Sequence, residues 1–238
     1  MQKGIKFRIY PNREQKNFIH QTLGCCRLIY NRGLAMRKES YEEGKKIGYT
    51  QTSAMLIELK RQEEFAFLKA VDSIALQQSL RDLDRSFVNF FQKRASYPTF
   101  KSKHNRFQSY RTVNQKDNIR IVGRYIKLPK LGFVKIRQSM EVGKINHVTI
   151  EYTPAGKYFA VLNIDFEPEP RPNAGGTIGI DVGIKAFYSD SNGNTVSNPR
   201  YLERAMRKLI REQRRLSRKQ KDSHNRGKQR LRVARVHE

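Results

Sequence analysis

The sequence predicts an α+β protein of more than one domain, for three reasons. Its 238 residues are enough for one large or two small domains. Apolar residues recur every three or four positions in residues 13–93, whereas short alternating segments separated by Gly and Pro fill residues 118–166. A Pro-rich stretch at residues 167–172 then separates these parts from the remainder of the chain.

The elements before residue 95 are one strand followed by helices. Apolar and basic residues alternate in residues 3–10, which predicts a half-buried strand with a positive outer face. Helices are then predicted at residues 13–44, 50–61 and 73–93. Gly24 suggests a break in the first helix, and Asp72 is well placed to accept the free backbone N–H groups that open the third.

Short strands follow, with turns at Gly and Pro between them. They are predicted at residues 118–122, 125–128, 133–137, 145–153 and 157–166. Strands this short and this closely spaced are typical of a small barrel or a curled sheet. Beyond the Pro-rich stretch, a strand runs to Asp181 and a hairpin at 185–197 turns at Asn192 and Gly193.

The C-terminal segment is predicted to be helical and strongly basic. Helical periodicity begins after Pro199, a loop is predicted at 221–227, and a second helix begins near Lys228. The first of these helices carries a narrow apolar seam, through which it is predicted to pack on another part of the protein. The seam consists of Leu202, Met206, Leu209 and Leu216. Residues 200–238 contain fifteen Lys and Arg against four acids, which gives them a charge of +11.

The charge of the whole chain indicates a nucleic-acid partner. With 48 basic and 22 acidic residues, the formal net charge is +26. Repulsion among so many like charges destabilises the compact state, which favours an anionic partner. Each Lys or Arg contact to a phosphate of nucleic acid releases condensed counterions and so strengthens binding. An acidic membrane surface is disfavoured, because the sequence shows no long apolar segment, signal peptide or lipidation motif. Cys25 and Cys26 are adjacent without a second pair at zinc-ligand spacing, so both are predicted to be reduced, partly buried helix residues.

Three groups of residues are candidates for nucleic-acid contact. The first lies in residues 95–112, where aromatic rings could stack on bases and cations could follow phosphates; its members are Lys101, Lys103, Arg106, Tyr110 and Arg111. The second lies on the basic helix after Pro199 and consists of Arg207, Arg211, Arg214, Arg215, Arg218 and Lys219. The third is Gln77 and Gln78 at the start of a helix, supported by Tyr49, because paired amides suit adenine edges. The alternatives are a buried aromatic core, a solvated helix and ordinary surface amides.

The motif at residues 179–185, Gly-Ile-Asp-Val-Gly-Ile-Lys, is the candidate catalytic element. An apolar strand delivers Asp181 between two glycines, which is how an RNase H-like fold presents its first metal-binding acid. Phosphodiester cleavage with two Mg²⁺ ions needs more than one carboxylate, and no plausible second one follows before Glu238. A strand-end Asp at a plain turn is the alternative interpretation.

The chain as a whole resembles the TnpB family, also called OrfB transposases, which are compact transposon-encoded RNA-guided DNA nucleases. The matching stretches are residues 10–15, 23–27, 30–31, 71–72, 75–84, 89–91, 98–103, 109–112, 127–132, 156–159, 179–185 and 214–218. The resemblance implies a wedge-like β-barrel (residues 1–10 and 95–168) with an inserted helix-turn-helix-like recognition lobe (11–94). It further implies a linker (169–173) and the start of a RuvC or RNase H-like α/β domain with a basic helical hairpin (174–238).

The resemblance also implies a function. It implies a guide RNA from the transposon end, a target of double-stranded DNA, and a cytoplasmic, nucleoid-associated prokaryotic protein; the oligomeric state stays open. Asp181 matches the first of three Mg²⁺-binding acids, whereas the family's second acid, zinc ribbon and third acid have no counterpart here. We therefore expect a C-terminally truncated chain that binds nucleic acid and does not cleave it. A catalytically inactive RNA- or DNA-binding repressor or remnant, and a structural RNA-binding protein, are the alternatives.

Overall fold

The computed structural model describes residues 1–105, 107–137, 140, 142–168 and 175–238. It divides into two compact units, Met1–Glu167 and Pro168–Glu238. Helix and sheet are mixed, as predicted, and the larger sheet is curled into a half-barrel. The predicted linker at 169–173 lies outside the described residues.

The first unit combines helices with a seven-stranded antiparallel sheet. Its strands are β1 (Gln2–Tyr10), β2 (Gln108–Val113), β3 (Arg120–Val122), β4 (Tyr125–Leu128), β5 (Gly132–Arg137), β6 (Ile145–Tyr152) and β7 (Tyr158–Asp165). Its helices are α1 (Arg13–Glu42), α2 (Tyr49–Arg61) and α3 (Ser73–Phe91), with a 3-10 helix at Glu63–Lys69. The strand order is β2-β6-β7-β1-β5-β4-β3, so the first strand of the chain lies at the centre of the sheet.

Helices and sheet share one hydrophobic core. Phe7 and Ile9 point inward from β1 and belong to the same buried cluster as Ile19 and Leu23 of α1 and Leu76 of α3. The alternation of apolar and basic residues in β1 therefore has the predicted consequence, with one face buried and the other exposed. Because this core is continuous, the helices of the first unit are packed directly on the sheet.

The predicted break at Gly24 is wrong, because α1 is continuous over 30 residues. Leu23, Cys25 and Cys26 are all buried around the glycine. Burial of that stripe outweighs the helix-propensity cost of one glycine, which is about 1 kcal/mol. The helix begins with a capping box in which the Asn12 side chain accepts from the backbone N–H of Gln15, while the Gln15 side chain accepts from that of Asn12.

The predicted cap of α3 is confirmed. One carboxylate oxygen of Asp72 accepts a 3.0 Å hydrogen bond from the backbone N–H of Ile74. Strand β2 was not predicted, because residues 108–112 belong to the segment whose mixed aromatic and basic residues indicate nucleic-acid contact. Their alternation is visible only once Tyr110 and Thr112 are seen to be buried.

The second unit contains a small sheet and a helical hairpin. Its elements are β8 (Ile180–Asp181), β9 (Ala186–Asp190), β10 (Thr195–Ser197), α4 (Tyr201–Ser217) and α5 (His224–His237). The strand order β10-β9-β8 and the turn after Asp190 agree with the predicted hairpin. Helix α5 begins at His224, earlier than predicted, because Ser223 caps it by accepting from the backbone N–H of Arg226.

Candidate nucleic-acid interface and acidic site

The candidate amides on α3 do not open the helix, which corrects the sequence-based prediction. The helix begins at Ser73, so Gln77 and Gln78 lie one turn inside it. Gln77 is exposed and Gln78 is half-buried. Consecutive residues of a helix point about 100° apart, so the two amides do not share one face.

Arg81, also on α3, was not among the residues predicted to contact nucleic acid. Its guanidinium lies 4.7 Å from the centroid of the Tyr49 ring, at the first residue of α2. Arg81 stands four positions after Gln77, so the two side chains are neighbours on the helix surface. The structure therefore brings together Tyr49, Arg81 and Gln77. The spacing of four residues between Gln77 and Arg81 is visible in the sequence and could have identified Arg81 as a neighbour of the predicted amide.

The segment before β2 is fastened to α1 through Lys101. The Lys101 backbone N–H donates to the Asn31 side-chain oxygen at 2.8 Å, and the Asn31 amide donates to the Lys101 carbonyl at 3.0 Å. The Lys101 ammonium lies 4.0 Å from the centroid of the Tyr30 ring. Burial lowers the pKa of Lys101, although the negative charge of Asp82 opposes the shift.

Arg111 and Tyr110 are engaged within the protein. Arg111 donates to the Asp82 carboxylate at 2.6 Å. Tyr110 is only 7% exposed and belongs to the core, so its ring is not available to stack on a base, and burial raises its pKa well above the usual range. This corrects the prediction for Tyr110, whose place in an alternating strand directs it inward.

The remaining candidates of this segment are less constrained. Lys103 is exposed, and its carbonyl accepts from the Gln108 amide at 2.6 Å. Arg106 lies outside the described residues. Three aromatic rings of this segment reach solvent, those of Tyr97, Phe100 and Phe107. The Lys38 ammonium lies 4.9 Å from the centroid of the Phe100 ring. A cavity of about 110 Å³ borders Lys101, Asp82 and Arg111.

The helical hairpin α4–α5 is held by a buried pair of polar residues. The Gln229 amide donates to the Glu212 carboxylate at 2.7 Å and to the Glu212 carbonyl at 3.1 Å. Both side chains are buried. The hydrogen bond from Gln229, followed by the charges of Arg215 and Arg211, lowers the pKa of Glu212. Arg226 joins the same turn by donating to the carbonyls of Leu216 and Lys219.

The six candidate cations of the tail fall into two groups. Arg207 is paired with Glu203, and Arg211 and Arg215 lie 3.6 Å and 3.1 Å from the Glu212 carboxylate. The cations without a carboxylate partner in the described part of the chain are Arg214, Arg218 and Lys219. The predicted seam is partial, since Leu209 and Leu216 are half-buried whereas Leu202 and Met206 are exposed.

Asp181 is exposed at the end of β8. It pairs in register with Ser189, while its neighbour Ile180 pairs with Asp190. Residues directly opposite each other share a face and neighbours along a strand do not, so Asp181 and Asp190 lie on opposite faces of the small sheet. Asp190 closes the turn by accepting from the backbone N–H groups of Asn192 and Asn194 and from the Asn194 amide, and these bonds lower its pKa.

The acids of the described residues do not assemble into a metal centre. Within the described ranges, no three His, Cys, Asp or Glu side chains come close enough to hold a metal ion. Asp181 alone does not fit the multi-carboxylate site that Mg²⁺ requires for phosphodiester cleavage. None of the helices in the described part of the chain is long and apolar enough to cross a membrane.

Comparison with known proteins identifies the family. Residues 1–46 match the family model described as "Helix-turn-helix domain", and residues 147–238 match the one described as "Probable transposase". Over the whole chain, the protein is 37% identical to the "Putative RNA-guided DNA endonuclease" of Streptomyces pristinaespiralis. It is 34% identical over 99% of the chain to the "Putative RNA-guided DNA endonuclease InsQ" of Escherichia coli (strain K12).

The chain spans 60% and 58% of the length of these two relatives. A third similarity, 32% identity over 44% of the chain, covers 96% of the "Virulence protein VsdF" of Salmonella dublin. The two family models, together with relatives aligned over nearly the whole chain, agree with the motifs quoted above. The chain therefore belongs to the OrfB, or TnpB, family of transposon-encoded proteins.

Proposed function

We propose that this chain is the nucleic-acid-binding portion of an RNA-guided DNA endonuclease of the TnpB type, with Asp181 as the first acid of its cleavage centre. The observation that carries the proposal is the contrast between two aspartates of one small sheet. Asp190 is occupied by three hydrogen bonds of its own turn. Asp181 is exposed, and no hydrogen bond or ion pair engages its carboxylate within the described residues. An acid without a structural task at a strand end is free to bind a ligand.

The proposed partners are a guide RNA and a double-stranded DNA target. Both relatives aligned over nearly the whole chain have names that describe an RNA-guided DNA endonuclease. The charge of +26 supports polyanionic partners, because Lys and Arg contacts to phosphates release counterions. The cations proposed to contact phosphates first are Arg214, Arg218 and Lys219, since no carboxylate in the described ranges competes for them.

We further propose that residues 1–238 alone bind nucleic acid without cutting it. Asp190 faces away from Asp181, and Glu203 and Glu212 are already engaged with Arg207 and Gln229. These placements support a site that needs additional carboxylates before it can hold two Mg²⁺ ions. No catalytic step is derived for this set of residues.

The experiment measures binding and cleavage separately with the 238-residue chain. The expected result is RNA that co-purifies with the protein and dissociates as salt rises, with the logarithm of the binding constant falling linearly against the logarithm of salt. Arg214→Gln should lower that slope by about 1. Lys45→Gln is the matched control, since Lys45 is already paired with Glu43 at 3.0 Å.

The cleavage arm uses Mg²⁺, the guide RNA and a duplex target. No protein-dependent cutting is expected. Cutting that Asp181→Ala abolishes would overturn the proposal of binding without cleavage. Failure of the chain to bind any polynucleotide at physiological ionic strength would overturn the proposed function as a whole.

A further inference from the structure

A polar cavity lies between α1, α3 and the segment that leads into β2. Its volume is about 110 Å³, whereas one water needs about 10–15 Å³, so the cavity has room for a molecule of roughly eight heavy atoms. Among the described residues, three cations and one acid border it: Arg27, Lys101, Arg111 and Asp82. Because Arg111 is paired with Asp82 at 2.6 Å, two positive charges remain, and they favour an anion.

Arg27 is the cation of this cavity that is free to hold an anion. The residue is half-buried, and no hydrogen bond or ion pair engages its guanidinium within the described ranges. Partial burial of a charged group without a partner costs free energy, which a bound anion would offset. The planar guanidinium donates two parallel hydrogen bonds, a geometry that matches the oxygens of a phosphate group.

Lys101 is held at the edge of the same cavity by its own backbone. Its N–H and carbonyl both bond the Asn31 side chain, at 2.8 Å and 3.0 Å. Its ammonium lies 4.0 Å from the centroid of the Tyr30 ring. The position of the amine is therefore restricted before any reagent arrives, and restriction of this kind favours a reaction with a molecule bound beside it.

The chemistry of this amine suits a nucleophile. Burial lowers the pKa of Lys101, so a larger share of its amine is neutral than in a free lysine at the same pH. Only the neutral amine has the lone pair that attacks a carbonyl carbon. Lys101 also keeps a solvent-exposed surface, so a small molecule can reach it.

We propose that Lys101 is an acylation site whose reagent is a small acyl phosphate, with Arg27 binding the phosphate group. The amine attacks the carbonyl carbon, and the bond from that carbon to the phosphate oxygen breaks. The phosphate leaves with the electron pair and takes up the proton that the amine nitrogen loses. The products are an amide at Nζ of Lys101 and hydrogen phosphate, and no other reactant is consumed.

Acylation changes how the segment before β2 is attached to α1. The amide carries no charge, so the attraction between the Lys101 ammonium and the Tyr30 ring is lost. Asp82 then retains Arg111 as its cation. The two backbone bonds to Asn31 remain, so the modification loosens this attachment without removing it.

The test follows acetylation of the 238-residue chain in acetyl phosphate at neutral pH. Peptide mass spectrometry gives the initial rate at each lysine. Lys101 should react at least about tenfold faster than the exposed Lys103, because Lys101 borders the cavity and Lys103 does not.

Lys60 separates the effect of the cavity from that of a lowered pKa. Burial lowers the pKa of Lys60 as well, and its ammonium donates to the Ser73 hydroxyl at 3.0 Å. Lys60 does not border the cavity. It should therefore react several-fold more slowly than Lys101, although both amines are partly desolvated.

Substitution of Arg27 tests the anion site. Arg27→Gln should slow acetylation of Lys101 by about tenfold, the loss expected for one charge-assisted hydrogen bond, and should leave Lys103 unchanged. Arg13→Gln, at the exposed first residue of α1, is the matched control. The N-hydroxysuccinimide ester of acetic acid carries no phosphate, so its reaction with Lys101 should not depend on Arg27.

Inorganic phosphate gives a second measurement that requires no variant to fold. It should compete for the anion site and protect Lys101 of the unmodified chain from acetyl phosphate, while Lys60 and Lys103 react as before.

Three results would overturn the inference. Equal rates at Lys101 and Lys103 would show that the cavity does not direct the reagent. A rate at Lys60 as high as that at Lys101 would show that a lowered pKa is sufficient. An unchanged rate in folded Arg27→Gln, or no protection by inorganic phosphate, would remove the anion site. The proposed function does not depend on any of these results.

Discussion

The hydroxyl of Thr112 donates a 2.5 Å hydrogen bond to the carboxylate of Asp72, and this bond joins strand β2 to the first turn of α3. The second oxygen of the same carboxylate accepts from the backbone N–H of Ile74. Both side chains are buried. One acid therefore caps the helix and links its N-terminus to the sheet.

Removing this acid should destabilise the first unit. Asp72→Ala loses the cap, worth about 1 kcal/mol, and leaves the Thr112 hydroxyl without its acceptor, at about 1–3 kcal/mol. We expect the free energy of unfolding to fall by about 2–4 kcal/mol in urea denaturation. Thr112→Val should cost less and should couple with Asp72→Ala in a double-mutant cycle. Thr50→Val, at an exposed position of α2, is the control and should change stability by less than about 0.5 kcal/mol.

The helical hairpin should open when its buried amide is removed. Gln229→Ala leaves the Glu212 carboxylate and carbonyl without their partner, so amide exchange across residues 201–237 should accelerate. Gln220→Ala, at an exposed site in the connecting turn, should leave exchange unchanged. Equal exchange in both variants would show that the hairpin depends on its apolar contacts instead.

Acidification should loosen the same hairpin. The pKa of Glu212 is lower in the folded chain than in the unfolded chain, chiefly through the hydrogen bond from Gln229. Its contribution to stability is therefore present above the ordinary glutamate pKa of about 4.3 and is lost as the pH falls through the lowered folded value. Amide exchange in α4 and α5, corrected for its intrinsic pH dependence, should rise in that window. Glu212→Gln should abolish the pH dependence, and a variant that retained it would point to another acid.

Substitution of Asp190 should accelerate amide exchange in the small sheet, whereas substitution of Asp181 should not. Asp190→Ala removes three hydrogen bonds of the β9–β10 turn and should speed amide exchange in residues 186–197. Asp181→Ala removes none within the described residues and should leave exchange there unchanged. A structural loss at Asp181 would argue that this acid serves the turn and not a ligand.

Both cysteines should resist alkylation in the folded chain. The thiolate is the reactive form, and burial raises the pKa of Cys25 and of Cys26. Iodoacetamide at neutral pH should therefore modify neither thiol before unfolding, and both in denaturant, as read by mass spectrometry. Rapid labelling of Cys26 in native buffer would contradict the packing of α1 against α3.

Secondary structure was predicted best where the residues of a short segment determine the local backbone conformation. The Asp72 cap, the turn at Asn192 and Gly193, and the alternation of β1 follow from short-range chemistry and are confirmed. Gly24 was misjudged because helix propensity is weak beside the burial of Leu23, Cys25 and Cys26.

The surfaces could not be predicted in the same way, because register is a long-range property. Nothing in the separation of Tyr10 from Lys135 and Tyr125 along the chain shows that they form one row. Tyr110 was assigned to a binding segment because its basic neighbours are visible in the sequence while the strand that turns it inward is not. The role of Asp181 as a catalytic acid stays a prediction.

The central position of β1 has a consequence for synthesis on the ribosome. This strand is synthesised before its two partners, β5 and β7, and β7 is complete only at Asp165. At about 5–20 residues per second, the nascent strand waits roughly 8–30 s for both neighbours. Until β7 is complete, the backbone N–H and C=O groups along one edge of β1 have no ladder partner, so the nascent chain carries an unpaired strand edge for that time.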